Sequence, residues 1–310
     1  MIWEHAHQEA MFAAAEAHDD LGIETSVRID VFAAIDAADI DLFFKPIGAA
    51  GLYMPADWLG GNAPGILVNC DHPLALQRYS GAHELGHHHF GHEPDIDLEA
   101  ELVAGPDREQ LSDEEKLAEA FASWFLAPPE LVDLVLDQLD LDRPRTPRDA
   151  YQLALRLGTS YKATCYHLPS LKLLDSPRGH QWAQLDLRKI KVEIAPQPRA
   201  GGWHNDVWLL ADGERDRDLV VRAGDRLVVA GNWEADELPP QAMMVAACQT
   251  TLFADGVDSA TVIDIGRDAP RGSARLALSA GIDEFVVSLE ITRPQFGKYV
   301  RNAVTHAARS

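Results

Sequence analysis

The spacing of hydrophobic positions changes several times along the chain, and each change marks a new kind of predicted element. Residues 4–22 are rich in alanine and amphipathic with a helical period, and residues 26–38 show the same period. Three short β-prone segments follow at residues 40–47, 51–55 and 65–69, with Gly, Pro and Asn between them. The pattern therefore predicts two helices followed by a small three-stranded sheet.

Two further segments have the pattern of helices that are buried against a core. Residues 74–92 carry apolar positions at a helical spacing directly after the third predicted strand. Residues 111–128 begin with Ser112, a favourable N-cap, and end at two consecutive prolines. The stretch between them, residues 93–110, is acidic and has no period, so we expect it to be a loop.

Helices continue after residue 128, and their order is that of a helix-turn-helix motif. One helix is predicted up to about residue 139, and Thr146 caps another over residues 147–157, which a turn at Gly158 connects to a further helix. The last helix carries only one basic residue, Lys162. A packing role is therefore favoured over the reading of DNA.

The rest of the chain has the texture of β-structure. Seven short β-prone segments with turn signals between them predict a β-sandwich between residues 207 and 291. We thus expect an α+β protein with a compact domain over residues 1–175, a linker over 176–203 and a β-rich domain over 204–310 that recognises or regulates. Residues 221–229, Val-Arg-Ala-Gly-Asp-Arg-Leu-Val-Val, resemble the opening of chagasin-like inhibitor domains.

Composition and charge limit the classes of partner. The 310 residues include 27 Lys+Arg and 49 Asp+Glu, which gives a net charge of −22. So acidic a chain repels phosphate backbones, which argues against direct nucleic-acid binding and favours a basic protein partner. The sequence shows neither an apolar run of membrane-spanning length nor a secretion signal, so a cytoplasmic location is expected.

The three cysteines, Cys70, Cys165 and Cys248, do not indicate a disulfide framework or a zinc ribbon. They are odd in number, far apart and without a C-x-x-C pair. We expect reduced, structural thiols, with a switch role for Cys70 as the alternative because it ends the third strand.

The sequence Gly-Ala-His-Glu-Leu-Gly-His at residues 81–87 contains the pattern HExxH. On an α-helix, His83 and His87 lie on one face and can bind a single metal ion, while Glu84 stays free. Zinc in a hydrolytic site takes three protein ligands and a water molecule whose pKa it lowers to roughly 7, and Glu84 is placed to accept its proton. The alternative is a solvent-exposed, histidine-rich patch. Three more histidines crowd the same turns: His88, His89 and His92.

A third ligand should come from the helix predicted over residues 111–128. Glu115 and Glu119 lie one turn apart on one face of that helix, while Glu114 is rotated by about 100° toward solvent. Glu115 has a second interpretation, because Ser112-x-x-Glu115 is the pattern of a capping box. The spacing leaves both interpretations open.

These stretches resemble the ImmA/IrrE family of zinc metallopeptidases. Residues 78–92 match the family pattern R-x-x-x-A-H-E-L-G-H-x-x-x-G-H, and residues 115–128 match the later pattern E-x-x-A-N-x-F-A-x-x-L-L-x-P. The resemblance implies a compact zincin-like domain of helices on a small sheet. It also implies that His83 and His87 are metal ligands, that Glu84 is the catalytic glutamate and that Glu115 completes the metal site.

One departure from the family pattern concerns the helix that carries Glu115. Glu119 stands where the family usually has Asn or Asp, and it could orient a ligand or act as a substitute ligand itself. Two imidazoles with a carboxylate suit Zn²⁺, while Mn²⁺ and Fe²⁺ are also compatible.

The resemblance implies an endopeptidase that cuts a helix-turn-helix repressor and so releases stress, phage or mobile-element genes. The acidic surface suits a basic DNA-binding protein as the substrate. The alternative function is a non-catalytic antirepressor or toxin–antitoxin component that keeps the fold and acts by binding another protein.

The second predicted strand, residues 51–55, is a candidate for substrate binding. In zincins an edge strand beside the site pairs with an extended peptide, so strand addition is expected here. Tyr53 on this strand could donate a hydrogen bond to an oxyanion, or it could be a packed tyrosine. The loop predicted over residues 93–110 would lie over the mouth of the site and could act as a lid.

Overall fold

The computed structural model describes residues 1–56, 63–93, 110–195, 205–210, 217–248, 259–292 and 297–299. The chain divides into two compact units. Unit 1 comprises residues 1–128 together with 294–310, and unit 2 comprises residues 129–293. The loop predicted over residues 93–110 lies, except for its two end residues, outside the described residues.

The described part of unit 1 contains four helices. They are α1 (Trp3–Asp20), α2 (Val31–Ala37), α3 (Leu74–Phe90) and α4 (Asp113–Leu126). Five of the six alanines of α1 are buried, Ala15 being the exposed one, and they allow this helix to pack closely on α4. The helix predicted from residue 26 begins only at Val31, because the Asp30 carboxylate accepts hydrogen bonds from the amides of Phe32 and Ala33 and so caps α2 there.

The three predicted strands of unit 1 are confirmed as β1 (Asp41–Lys45), β2 (Gly51–Met54) and β3 (Gly65–Asn69). β3 pairs with β1 in parallel and with β2 antiparallel. β2 lies at one edge of the sheet. Ile66 and Val68 of β3 are fully buried, so the sheet forms part of the core on which the helices pack.

Unit 2 begins with five helices: α5 (Pro129–Gln138), α6 (Pro147–Leu157), α7 (Tyr161–His167), α8 (Ser176–Ala183) and α9 (Leu187–Ile194). Thr146 caps α6 as predicted, in a capping box with Asp149, and Gly158 ends this helix with a φ of 69°. α8 and α9 lie in the segment expected to be a linker. Asp175 and Asp186 cap these two helices, which explains why the segment folds.

The strands described for unit 2 form two four-stranded sheets. They are β4 (Val207–Leu210), β5 (Asp218–Arg222), β6 (Arg226–Ala230), β7 (Glu234–Glu237), β8 (Ala242–Cys248), β9 (Ala260–Ile265), β10 (Gly272–Ala280) and β11 (Asp283–Thr292). One sheet has the order β5-β11-β10-β7 and the other β4-β6-β9-β8. One hydrophobic core takes buried residues from both sheets, including Trp208 and Phe285, which confirms the predicted β-rich fold.

Helix α6 is bonded to the first strand of unit 2. The Gln152 side chain donates to the carbonyl of Val207 at 2.9 Å, and Arg156 donates to the carbonyl of Leu209 at 2.8 Å. These contacts group α5–α9 with the strands, whereas the sequence pattern places residues 129–175 with the N-terminal part. The predicted division at residues 175 and 204 stays a prediction.

A fourth strand of the sheet in unit 1 comes from far along the chain. β12 (Gly297–Lys298) pairs antiparallel with β1, which gives the order β12-β1-β3-β2. The Tyr299 amide donates to the carbonyl of Leu42 at 2.8 Å, and Lys298 forms an ion pair with Asp41. Over the residues that the structure describes, the sheet is therefore four-stranded and not three-stranded.

None of the helices in the described ranges combines the length and the hydropathy needed to cross a bilayer. Two of the cysteines have described side chains, Cys70 and Cys165, and both are buried free thiols.

Candidate metal centre

Helices α3 and α4 bring the predicted ligands together. α3 starts after Pro73 and ends at Gly91, whose φ of 66° is the left-handed conformation common at helix ends. A Cβ atom at Gly86 would lie 3.0 Å from Cδ1 of Phe121 on α4. The absence of a side chain at Gly86 thus allows the two helices to approach closely.

Three side chains converge at this helix pair. His83 Nε2 and His87 Nε2 are 3.0 Å apart, and Glu115 places Oε2 at 3.2 Å from His83 Nε2 and Oε1 at 3.3 Å from His87 Nε2. Both histidines are buried, with 9% of their surface exposed. His83, His87 and Glu115 form a group that could hold a metal ion.

The spacing of these donor atoms fits a metal ion of ordinary size. Nitrogen and oxygen ligands about 2.0–2.1 Å from a tetrahedral ion lie about 3.3 Å from one another, close to the distances found here. His83 Nδ1 is buried and has no hydrogen-bond partner among the described residues, and its Nε2 faces the group. His87 Nδ1 lies 3.0 Å from His92 Nδ1, so His92 can accept a hydrogen bond from the Nδ1–H of His87 while His87 Nε2 binds an ion.

Charge on Glu115 favours a proton on His83 when no metal is bound. Burial lowers the pKa of His83, but the hydrogen bond and charge of Glu115, with the charges of Glu84 and Glu119, outweigh burial and raise it to about 9. In the same way, burial raises the pKa of Glu115, but the two histidines outweigh burial and lower it. A proton and a metal ion therefore compete for His83 Nε2.

Metal affinity is consequently expected to strengthen with pH up to about pH 9. Below that pH one proton must leave His83 for each ion bound, so the apparent association constant should rise about tenfold per pH unit and then level off. Chelator competition with Zn²⁺ across this range measures the slope. Glu115→Gln removes the main group that raises the pKa of His83. In this variant the apparent association constant should therefore level off at a lower pH than in the wild type. An affinity that is flat with pH in the wild type would contradict this linkage.

Glu84 lies beside the three converging side chains but outside their group. Only 8% of its surface is exposed, and the backbone N–H of Tyr53 donates a hydrogen bond to its carboxylate. Burial raises the pKa of Glu84, and repulsion from Glu115 adds to this, while the two histidines and the Tyr53 amide oppose it. The net direction is upward, so this carboxylate holds a proton more readily than an exposed glutamate does.

The other two glutamates of α4 differ from Glu115. Glu119 is buried, and its Oε2 accepts a hydrogen bond from the Tyr79 hydroxyl at 2.9 Å. Glu114 is exposed, as the helical spacing predicts. At Ser112, the hydroxyl accepts from the amide of Glu115 at 3.1 Å, while the Glu115 carboxylate faces the histidines. Glu115 therefore takes part in the helix cap through its backbone amide and in the convergent group through its carboxylate.

Tyr53 is buried on β2, and its hydroxyl hydrogen-bonds His88 Nδ1 at 3.0 Å. This contact ties the strand to α3. The role of the hydroxyl at an oxyanion stays a prediction. Sequence reasoning missed the roles of Tyr79 and His92 as partners of site residues, although His92 closes the family pattern that residues 78–92 match.

Comparisons with known proteins bear on the same part of the chain. Residues 35–169 match the family model of the IrrE N-terminal-like domain, Peptidase_M78, and this range contains the three side chains that could hold a metal ion. No curated protein matches the chain.

Two solved structures show a limited likeness. The cysteine protease inhibitor EhICP2 from Entamoeba histolytica is 14% identical with a TM-score of 0.23, over 29% of this chain and 100% of that one. Amebosin is 11% identical with a TM-score of 0.20, over 28% of this chain and 98% of that one.

Proposed function

We propose, from the membership of residues 35–169 in the Peptidase_M78 family of IrrE N-terminal-like domains, that the chain is a zinc-dependent endopeptidase. The observation that carries this proposal is the convergence of His83, His87 and Glu115, with Glu84 buried beside them. We further propose that the substrate is a helix-turn-helix repressor, whose cleavage releases the genes it controls.

The proposed roles divide between metal binding and proton transfer. His83 Nε2, His87 Nε2 and the Glu115 carboxylate would hold the ion. When bound, a divalent ion supplies Lewis acidity, which polarises the scissile carbonyl and makes a water molecule more acidic. The Glu84 carboxylate accepts a proton from the attacking water and passes it to the leaving amine.

The environment of Glu84 supports this role. A group that first accepts and then donates a proton works best when its pKa lies closer to the working pH than that of an exposed glutamate. Burial shifts the pKa of Glu84 in that direction. The hydrogen bond from the Tyr53 amide fixes one side of the carboxylate, which leaves its other lone pairs for the water molecule.

The proposed substrate class follows from charge and from the position of β2. A net charge of −22 attracts a basic protein, as DNA-binding repressors are. β2 is an edge strand next to Glu84, so an extended segment of the substrate could run alongside it. The Tyr53 amide is already used by Glu84, so a substrate strand would pair at other backbone groups along the edge of β2.

Removal of both histidines is expected to abolish metal binding and cleavage together. The wild type should bind close to one Zn²⁺ per chain, and His83→Ala with His87→Ala should lose it, because one carboxylate cannot hold the ion alone. Metal analysis and cleavage of purified candidate repressors, read by mass spectrometry, measure both. His5→Ala with His180→Ala removes two exposed histidines and serves as the matched control.

Two outcomes would count against the proposal. Full zinc occupancy in the His83→Ala, His87→Ala variant would show that these histidines do not hold the ion. Binding of a repressor by zinc-loaded protein without any cleavage would favour the non-catalytic antirepressor instead.

A further inference from the structure

Edge strand β2 passes directly beside the Glu84 side chain, and the residue that lies against the carboxylate is Gly51. A Cβ atom built on Gly51 would lie 2.7 Å from Glu84 Oε1, 3.0 Å from Cγ and 3.2 Å from Cδ. Carbon and oxygen atoms without a bond between them do not approach to 2.7 Å without a shift. The Glu84 carboxylate therefore occupies space that any side chain at residue 51 would take.

We infer that Gly51 is a positioning residue, whose missing side chain lets the Glu84 carboxylate sit where it can exchange protons with the substrate. This inference rests on the proposed function, because it concerns the group that would act as the base. It assigns to β2 a task besides substrate binding: the strand forms one wall of the pocket for the general base.

The backbone of β2 is fixed on both sides of Gly51. Before it, the Asn69 side chain donates to the carbonyl of Ala49 at 3.0 Å. After it, the Tyr53 amide bonds the Glu84 carboxylate and the Tyr53 hydroxyl bonds His88. Gly51 itself pairs with Val68 of β3. When a methyl group is added at residue 51, the strand cannot easily retreat, so the carboxylate must move.

The backbone conformation at Gly51 does not itself require glycine. Gly51 does not have a positive φ, so alanine fits the strand without backbone strain. The atom closest to the added methyl is the end of a flexible side chain. Gly51→Ala should therefore fold, and its effect should fall on the position of Glu84.

Gly51→Ala is expected to lower kcat about 10²-fold and to leave KM and zinc affinity nearly unchanged. A displacement of about 1 Å at a reacting group can cost this factor, while the three atoms nearest to the added methyl all belong to Glu84 and none to His83, His87 or Glu115. The probe is the best-cleaved peptide from a mixture of synthetic peptides, with hydrolysis followed by mass spectrometry. Gly48→Ala is the matched control, because a Cβ at Gly48 meets nothing within 4 Å.

A double-mutant cycle separates positioning from a general structural effect. If Gly51 acts through Glu84, Gly51→Ala should have almost no further effect on kcat in a Glu84→Gln background. Equal losses in both backgrounds, or a Gly51→Ala variant with wild-type kcat, would overturn the inference. A loss of zinc affinity or of thermal stability larger than that of Gly48→Ala would assign Gly51 to packing and would overturn it as well.

Crystal structures of the wild type and of Gly51→Ala test the positioning role of Gly51 independently of the proposed function. If the wild type cleaves no peptide, the proposed function fails, and zinc-loaded crystals of the wild type and Gly51→Ala still test the geometry. A displaced Glu84 carboxylate in the variant supports the positioning role. A carboxylate that superposes on that of the wild type overturns it.

Discussion

Glu84→Gln is expected to slow peptide cleavage by at least about 10²-fold while metal and partner binding persist. The substitution keeps the shape of the side chain and removes its basicity. The amide oxygen can still accept the hydrogen bond that the Tyr53 amide donates to Glu84, so the buried pocket stays filled. Glu84 lies outside the convergent group of His83, His87 and Glu115, so those three side chains remain available to an ion.

The measurement is the single-turnover cleavage rate at saturating substrate, together with zinc content and substrate affinity. Glu9→Gln, which neutralises an exposed glutamate on α1, makes the same change of net charge away from the site and serves as the control. A Glu84→Gln protein that cuts as fast as the wild type would show that the base lies elsewhere.

Glu115→Gln is expected to weaken zinc affinity by 10-fold or more, the largest effect among the three glutamates of α4 tested. Both oxygens of Glu115 face histidine Nε2 atoms, so the amide loses the negative charge and puts an N–H group toward one of them. The helix cap should survive, because Ser112 accepts from the backbone amide of Glu115 and not from its side chain. The free energy of unfolding should therefore change less than the zinc affinity.

The other two glutamates of α4, Glu114 and Glu119, allow the loss of zinc affinity in Glu115→Gln to be compared with that of neighbouring variants. Glu119→Gln should cause a milder loss of zinc affinity, because Glu119 lies outside the ligand group and its amide can still accept from the Tyr79 hydroxyl. Glu114→Gln should leave the affinity unchanged, because this residue is exposed. Chelator competition across the three variants gives the ranking. Loss of binding in Glu119→Gln with binding retained in Glu115→Gln would reverse the assignment.

Much of the fold could be predicted because its strongest signals are local. Helix α4 has a cap, an apolar face and a proline stop within one segment, and β3 is a short apolar run bounded by turn residues. β7 escaped prediction because its four residues, Glu-Ala-Asp-Glu, are all exposed and show no alternation. β12 is only two residues long and forms because β1 offers an edge to it.

The candidate site likewise contains residues that the sequence could indicate and residues that it could not. The helical spacing of His83 and His87 is a local property, so the sequence could indicate it, and the resemblance to a family supplied Glu115. Gly51 could not be found from the sequence, since a glycine that leaves space gives no signal until the side chain filling that space is known. The hydrogen bond between Tyr53 and His88 likewise joins residues 35 positions apart, and no pattern links them.

The pairing of β1 with β12 has a consequence for how unit 1 folds. Asp41 and Lys298 form an ion pair across 257 positions of sequence, and the Tyr299 ring lies against Phe32 with centroids 6.3 Å apart. Contacts at such separation raise the contact order and slow folding, because a long stretch of chain must be ordered before they form. During synthesis all of residues 129–293 leave the ribosome before β12 does. Nascent unit 1 therefore presents the bare edge of β1 for that interval, a surface on which strands of other chains can pair.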